Sequence, residues 1–261
     1  TYTGAGFFPP ENCSPVIFPT PHHALSLDGS PGDWQIREEL QTTFTRLSPV
    51  IHRQSNGDLP ATRLFASEKG RETLQWDSEP AETKQRYGDH DFGKGCLLAR
   101  RLAEKVDAVF IEVALAGWDA KGPDYFPRTK ELSSLLDDGF SALVTDLIER
   151  KMLESTLIVI ATDYGRRASI EDENFRVFSA DRSCAILAGG GVKGGTVYGE
   201  TAEKNGRPLS GNVSARQFNA LIARALSLDP FETVYSPDRR PFTIGDSRED
   251  SATYQAVFGA E

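Results

Sequence analysis

Three cysteines in 261 residues, and no short spacing between any two of them, exclude both a disulfide framework and a zinc motif of the paired-cysteine type. At most one bridge can form among Cys13, Cys96 and Cys184. Cys96 and Cys184 sit in apolar periodic segments and are read as buried free thiols. No Lys/Arg-rich run is present and the net charge is -9, so nucleic acid is not expected as a partner and an anionic membrane surface is disfavoured. No apolar stretch approaches the roughly 20 residues of a membrane span. The first residues, TYTGAGFFPP, lack the basic-then-apolar pattern of a signal peptide. Histidine is scarce too, at four residues, two of which (His22-His23) lie in a Pro-rich loop and are read as solvated.

What remains is ordinary globular material, 39% hydrophobic and 26% charged, without internal repeats or low-complexity tracts. A single domain over 1–261 is expected, in three stretches. Residues 1–31 carry six prolines and read as an extended arm. Residues 32–106 read as a helical region, with helices near 33–47, 60–76 and 79–87, and another on which Phe92, Cys96, Ala99 and Leu102 share a face. Residues 107–261 read as an α/β core. There AVFIEVAL (108–115) is the near-continuous apolar run of a strand covered on both faces. Residues 128–150 place Leu132, Leu135, Leu136, Phe140, Leu143 and Leu147 at helical spacing. TLIVIA (156–161) and CAILA (184–188) are further strands, and Ser214 to Gln217 is a capping-box pattern. Strand, helix, strand over about 50 residues is a βαβ unit with a right-handed crossover. The class expected is α/β with a mainly parallel sheet.

The stretch IVIATDYG (158–165) ends an apolar strand in an acid, Asp163. The strand before it ends in Trp118 and Asp119, with Lys121 two residues on. Ligands gather outside the carboxyl ends of parallel strands, and two acids delivered there can hold a metal or orient a substrate. Capping of a following helix or turn is the competing role of a strand-end aspartate.

EVALAGWD (112–119) with its following helix, TLIVIATDYGR (156–166), CAILAGGGVKGG (184–195) and SPDRRPFTIGD (236–246), in this order, resemble an exported bacterial branch of the alkaline phosphatase/sulfatase superfamily. That branch is known mainly as a domain of unknown function. YTGAGFFPP (2–10) and the stretch from Glu79 to Lys105 share the likeness. The resemblance implies a three-layer, alkaline phosphatase-like fold with helices on both faces of the sheet, and a periplasmic, cell-surface or secreted location. It also implies a degenerate site. Relatives carry Trp-Asp-x-His at the first rim, where this chain has Trp118, Asp119, Ala120 and Lys121. They read Glu-Phe-Gly-Arg at the second, where it has Asp163, Tyr164, Gly165 and Arg166. Their Arg-Asp-His-Trp falls on Arg176, Val177, Phe178 and Ser179.

Asp119, Lys121, Asp163 and Arg166 are therefore the candidate catalytic residues of a degenerate site. No cofactor or metal is expected, although Asp119 and Asp163 would be the ligands if there were one. The ammonium of Lys121 would replace a metal's charge beside the two acids. The function expected is that of a metal-free binding or structural subunit. The alternative is a sulfate- or phosphate-ester hydrolase using zinc, calcium or manganese, completed by another chain or segment. The superfamily's N-terminal strand has no counterpart here, so a partner chain or a preceding segment is expected to supply one. The arm ranks last for that role, because proline cannot donate to a central ladder.

Overall fold

Helix signals and structure coincide most closely where the sequence also says how a helix starts and stops. The computed structural model describes residues 16–18 and 68–259, apart from 107, 109, 121, 163–164, 169–175, 180–182, 203–207, 236–237 and 246–250. Side chains at 16–18, 122, 166–168, 176–179, 208 and 251–252 lie outside that description. The expected helix at 33–47 also falls outside it. The chain forms two compact units, one of residues 1–118 and 131–143, the other of 119–130 and 144–261.

The first unit holds strand β1 (Val16–Phe18) and helices α1 (Glu68–Leu74), α2 (Ala81–Tyr87) and α3 (Asp91–Val106). It also holds strand β2 (Ile111–Val113) and the middle of helix α4 (Tyr125–Glu149). Helix α2 stops at Gly88, whose φ of 81° is a left-handed conformation that a side chain would strain. Helix α3 begins at Asp91, and before it His90 Nδ1 accepts a hydrogen bond from the Gly93 amide at 3.1 Å. An imidazole thus caps an amide that the helix cannot satisfy itself. Gly93 is required there, because a Cβ would collide with the Tyr87 carbonyl oxygen. The core of this unit is Tyr87, Cys96, Leu97 and Ala142, with Trp76, Phe92, Val113 and Leu143 packed against it. The face read from Cys96, Ala99 and Leu102 is buried, as the spacing requires. Burial also pushes the Cys96 thiol up to about 12.

Two arginines lie in the same interior. Arg100 and Arg101, with side chains 1% and 2% exposed, converge on Glu79. Arg100 Nη2 lies 2.9 Å from Glu79 Oε2, and Arg101 Nη1 donates to Glu79 Oε1. Arg100 Nη1 also donates to Glu104 Oε2 at 2.8 Å, and Arg101 to the carbonyls of Thr73 (2.6 Å) and Glu72 (2.8 Å). These bonds tie the end of α1 and the α1–α2 connection to α3. Burial alone would raise the Glu79 carboxyl, but the hydrogen bonds and charges of Arg100 and Arg101 outweigh it and hold the group below its ordinary 4.5.

β1 pairs in parallel with β2, Val16 opposite Ile111 and Phe18 opposite Val113. The arm enters the ladder, contrary to the expectation from its prolines: Val16-Ile17-Phe18 is a proline-free run between Pro15 and Pro19 in the sequence.

The second unit holds β3 (Ile158–Ala161), β4 (Gly165–Ala168), β5 (Arg176–Ser179), β6 (Ala185–Ala188), β7 (Glu200–Thr201) and β8 (Pro208–Ser210). Helix α5 (Ala215–Ala225), strands β9 (Val234–Tyr235) and β10 (Pro241–Phe242), and helix α6 (Ser251–Phe258) complete it. Among the described residues four pairings are antiparallel: β3 with β6, β4 with β5, β7 with β8 and β9 with β10. At α5 the capping box is complete. Ser214 Oγ accepts from the Gln217 amide at 3.2 Å, and Gln217 Oε1 accepts from the Ser214 amide at 2.8 Å. Helix α6 is held by the Lys193 amide, which donates to the Val257 carbonyl (2.8 Å), by Tyr198 Oη against Thr253 Oγ1 (2.9 Å), and by the Arg224 guanidinium over the Tyr254 ring. Cys184, expected to be buried, is exposed: it precedes β6, whose first residues, Ala185 and Ile186, are exposed as well.

Candidate functional site

The candidate residues lie where apolar strands run out. β2 ends at Val113, and the chain continues without regular structure to a half-buried Trp118 and an exposed Asp119. Asp119 belongs to the second unit and Trp118 to the first. Lys121 and Asp163, the other two members of the expected charge cluster, lie outside the described residues. Arg166 is the second residue of β4, and its backbone alone is described.

β3 pairs antiparallel with β6, and β4 with β5, so the second pair is nested within the first in chain order. Ala161 is opposite Ala185 in the first pair, and Gly165 opposite Ser179 in the second. Three residues, 162–164, separate β3 from β4, against five, 180–184, between β5 and β6. Between the two described pairs the register therefore differs by two residues. Thr162 Oγ1 donates to the Cys184 carbonyl at 3.4 Å.

The β4–β5 pair joins two stretches separated in sequence by residues 169–175. Arg166 is in register with Phe178, and Arg167 with Val177. Of the stretch compared with Glu-Phe-Gly-Arg, Gly165 and Arg166 thus pair with Ser179 and Phe178.

The AGGG stretch, by contrast, has a structural task. Gly189 and Gly190 (φ 72° and 57°) take the chain out of β6 across the entry to β3. A Cβ on Gly189 would strike the carbonyl oxygens of Thr156 and Leu153, and one on Gly190 would come within 2.8 Å of Leu157 Cβ. The Gly190 amide donates to the Leu153 carbonyl at 3.0 Å. These glycines allow close backbone approach.

A family model covers residues 9–257, its family described as protein of unknown function (DUF1501). The chain belongs to that family. No curated protein and no solved structure matches it. Membership in DUF1501 takes in both units and every motif discussed above except the first residues of the arm. Among the described residues no three His, Cys, Asp or Glu side chains form a group that could hold a metal ion. No helix among them is long and apolar enough to cross a membrane.

Proposed function

We propose that this DUF1501 chain is a degenerate, metal-free alkaline phosphatase/sulfatase-like domain that acts as a binding or structural subunit. The observation that supports it is the β4–β5 register, which sets Val177 and Phe178, where the resembled relatives carry Asp and His, opposite Arg167 and Arg166. Arg166 keeps the Arg of its own motif, whose acid position is Asp163. A metal centre needs carboxylate, imidazole or thiolate donors. The hydrocarbon side chains of Val177 and Phe178 offer no lone pair. On this reading the ammonium of Lys121 stands beside Asp119 and Asp163 in place of a cation. We infer for it the three-layer, mainly parallel α/β fold of the resembled superfamily, of which the described residues carry one parallel pairing beside four antiparallel ones, and a place in the periplasm or at the cell surface with another protein chain.

The test is metal analysis of the purified protein by inductively coupled plasma mass spectrometry, with turnover of 4-nitrophenyl phosphate and 4-nitrophenyl sulfate. Sub-stoichiometric metal and no turnover are expected. Stoichiometric zinc, calcium or manganese would overturn the proposal in favour of a hydrolase completed by another chain or segment. Lys121→Ala, which removes the compensating charge, should lower the thermal midpoint. An unchanged melt would refute the charge replacement.

A further inference from the structure

In the first unit, a cavity of about 380 Å³ opens between the turn at Trp76, the end of α2 and the first half of α3. That volume lies within the range of small-molecule sites. Its apolar wall is the indole of Trp76 with Tyr87 and Leu97, the last two 1% exposed and part of the core. Two ammonium groups stand over the indole, Lys94 Nζ at 5.1 Å and Lys84 Nζ at 5.7 Å from the ring centroid. The two lysines differ in their partners. Lys94 lies 2.9 Å from the Asp89 carboxylate, which its hydrogen bond and charge hold below the usual carboxylate range. Lys84 donates to the Asp77 backbone carbonyl at 3.2 Å and has no carboxylate partner among the described residues.

A flat apolar wall therefore meets one compensated and one uncompensated cation. We propose that this cavity is a binding site for a small monoanion with a ring-shaped apolar body, a carboxylate being the matching head group. The ring would lie against the partly exposed indole of Trp76, with Tyr87 and Leu97 as the floor behind it, and burial of the two ring faces supplies the apolar part of the affinity. The carboxylate would take the donors of the Lys84 ammonium that the Asp77 carbonyl leaves available. Asp89 sets the charge class: with its carboxylate at the mouth, the three charged side chains sum to a single positive charge. A doubly charged phosphate or sulfate is disfavoured accordingly. The site lies within the first unit and does not depend on the state of Asp119, Lys121 or Asp163, so it can fail or stand independently of the reading above.

Isothermal titration calorimetry of the full chain with 1-naphthoate and its neutral counterpart 1-naphthamide tests the proposal. The acid should bind at millimolar concentrations or below, and the amide about tenfold more weakly. Lys84→Met should bring the acid down to the level of the amide, with an unchanged far-UV circular dichroism spectrum. Lys84→Arg, which keeps the charge, should retain the preference for the acid. Equal affinities for acid and amide, or a Lys84→Met variant that still prefers the acid, would overturn the assignment. So would no heat from naphthoate at millimolar concentration, or inorganic phosphate binding as tightly as naphthoate.

Discussion

Replacing Glu79 by Gln keeps the shape of the side chain and removes the one carboxylate that both buried arginines share. In the native fold the Glu79 side chain is 8% exposed, and it faces Arg100 and Arg101 through separate oxygens. After the substitution the amide carbonyl can accept from one arginine only, and its NH2 faces the other guanidinium as donor against donor. Arg100 keeps Glu104, and Arg101 keeps two backbone carbonyls, so the guanidinium groups retain partners, but each loses the carboxylate charge of Glu79. Breaking a buried ion pair by removing one partner costs about 3–5 kcal/mol. That is a large fraction of the roughly 5–15 kcal/mol by which domains are stable, and it should lower the melting midpoint by roughly 10 °C. Urea titration followed by circular dichroism measures the loss directly. The pH dependence gives an independent check. The Glu79 carboxyl is held below 4.5 in the fold, so its stabilisation is present above the unfolded value and lost as pH falls through the folded one. Stability of the native chain should fall on acidification across this range, and that of Glu79→Gln should fall less. A loss under about 1 kcal/mol at neutral pH, typical of an exposed pair, would refute the argument.

The remaining expectations concern the thiols, the cap and the glycine corner. Iodoacetamide should label Cys184 in the native protein and leave Cys96 unmodified until denaturant is added, which peptide mass mapping would reveal; native labelling of Cys96 would contradict its burial and raised pKa. Ser214→Ala removes half of the capping box and should cost about 1 kcal/mol in a denaturant titration, whereas Ser214→Asp should be close to neutral. Gly189→Ala places a methyl group against two backbone carbonyls at a φ of 72° and should destabilise by more than 1 kcal/mol. Gly191→Ala meets no atom within 4 Å and bears only the strain of its φ of 82°, so it should cost less. Equal melts for the two glycine variants would show that the close approach at Gly189 does not matter.

Local physics made several elements legible in the sequence. The 3.6-residue spacing of Leu132 and Leu147 marks the buried stripe of α4, and Ser214 with Gln217 marks the start of α5. Apolar runs likewise announce β3 and β6, because strand-type residues in succession have few alternatives to a sheet. Such signals rest on neighbours within four residues. Pairing partners do not, and the sequence is silent on them. That Val16–Phe18 joins β2 across more than ninety residues follows from tertiary packing, as does the β4–β5 register that sets Arg166 opposite Phe178. Burial of charge was equally hidden. Arg100 and Arg101 look like the solvated side of a helix until Glu79, contributed from beyond the preceding helix, and the carbonyls of Glu72 and Thr73 close over them. A charged side chain enters an interior only when the rest of the fold delivers its counter-charge and acceptors, and that condition is met in three dimensions or not at all.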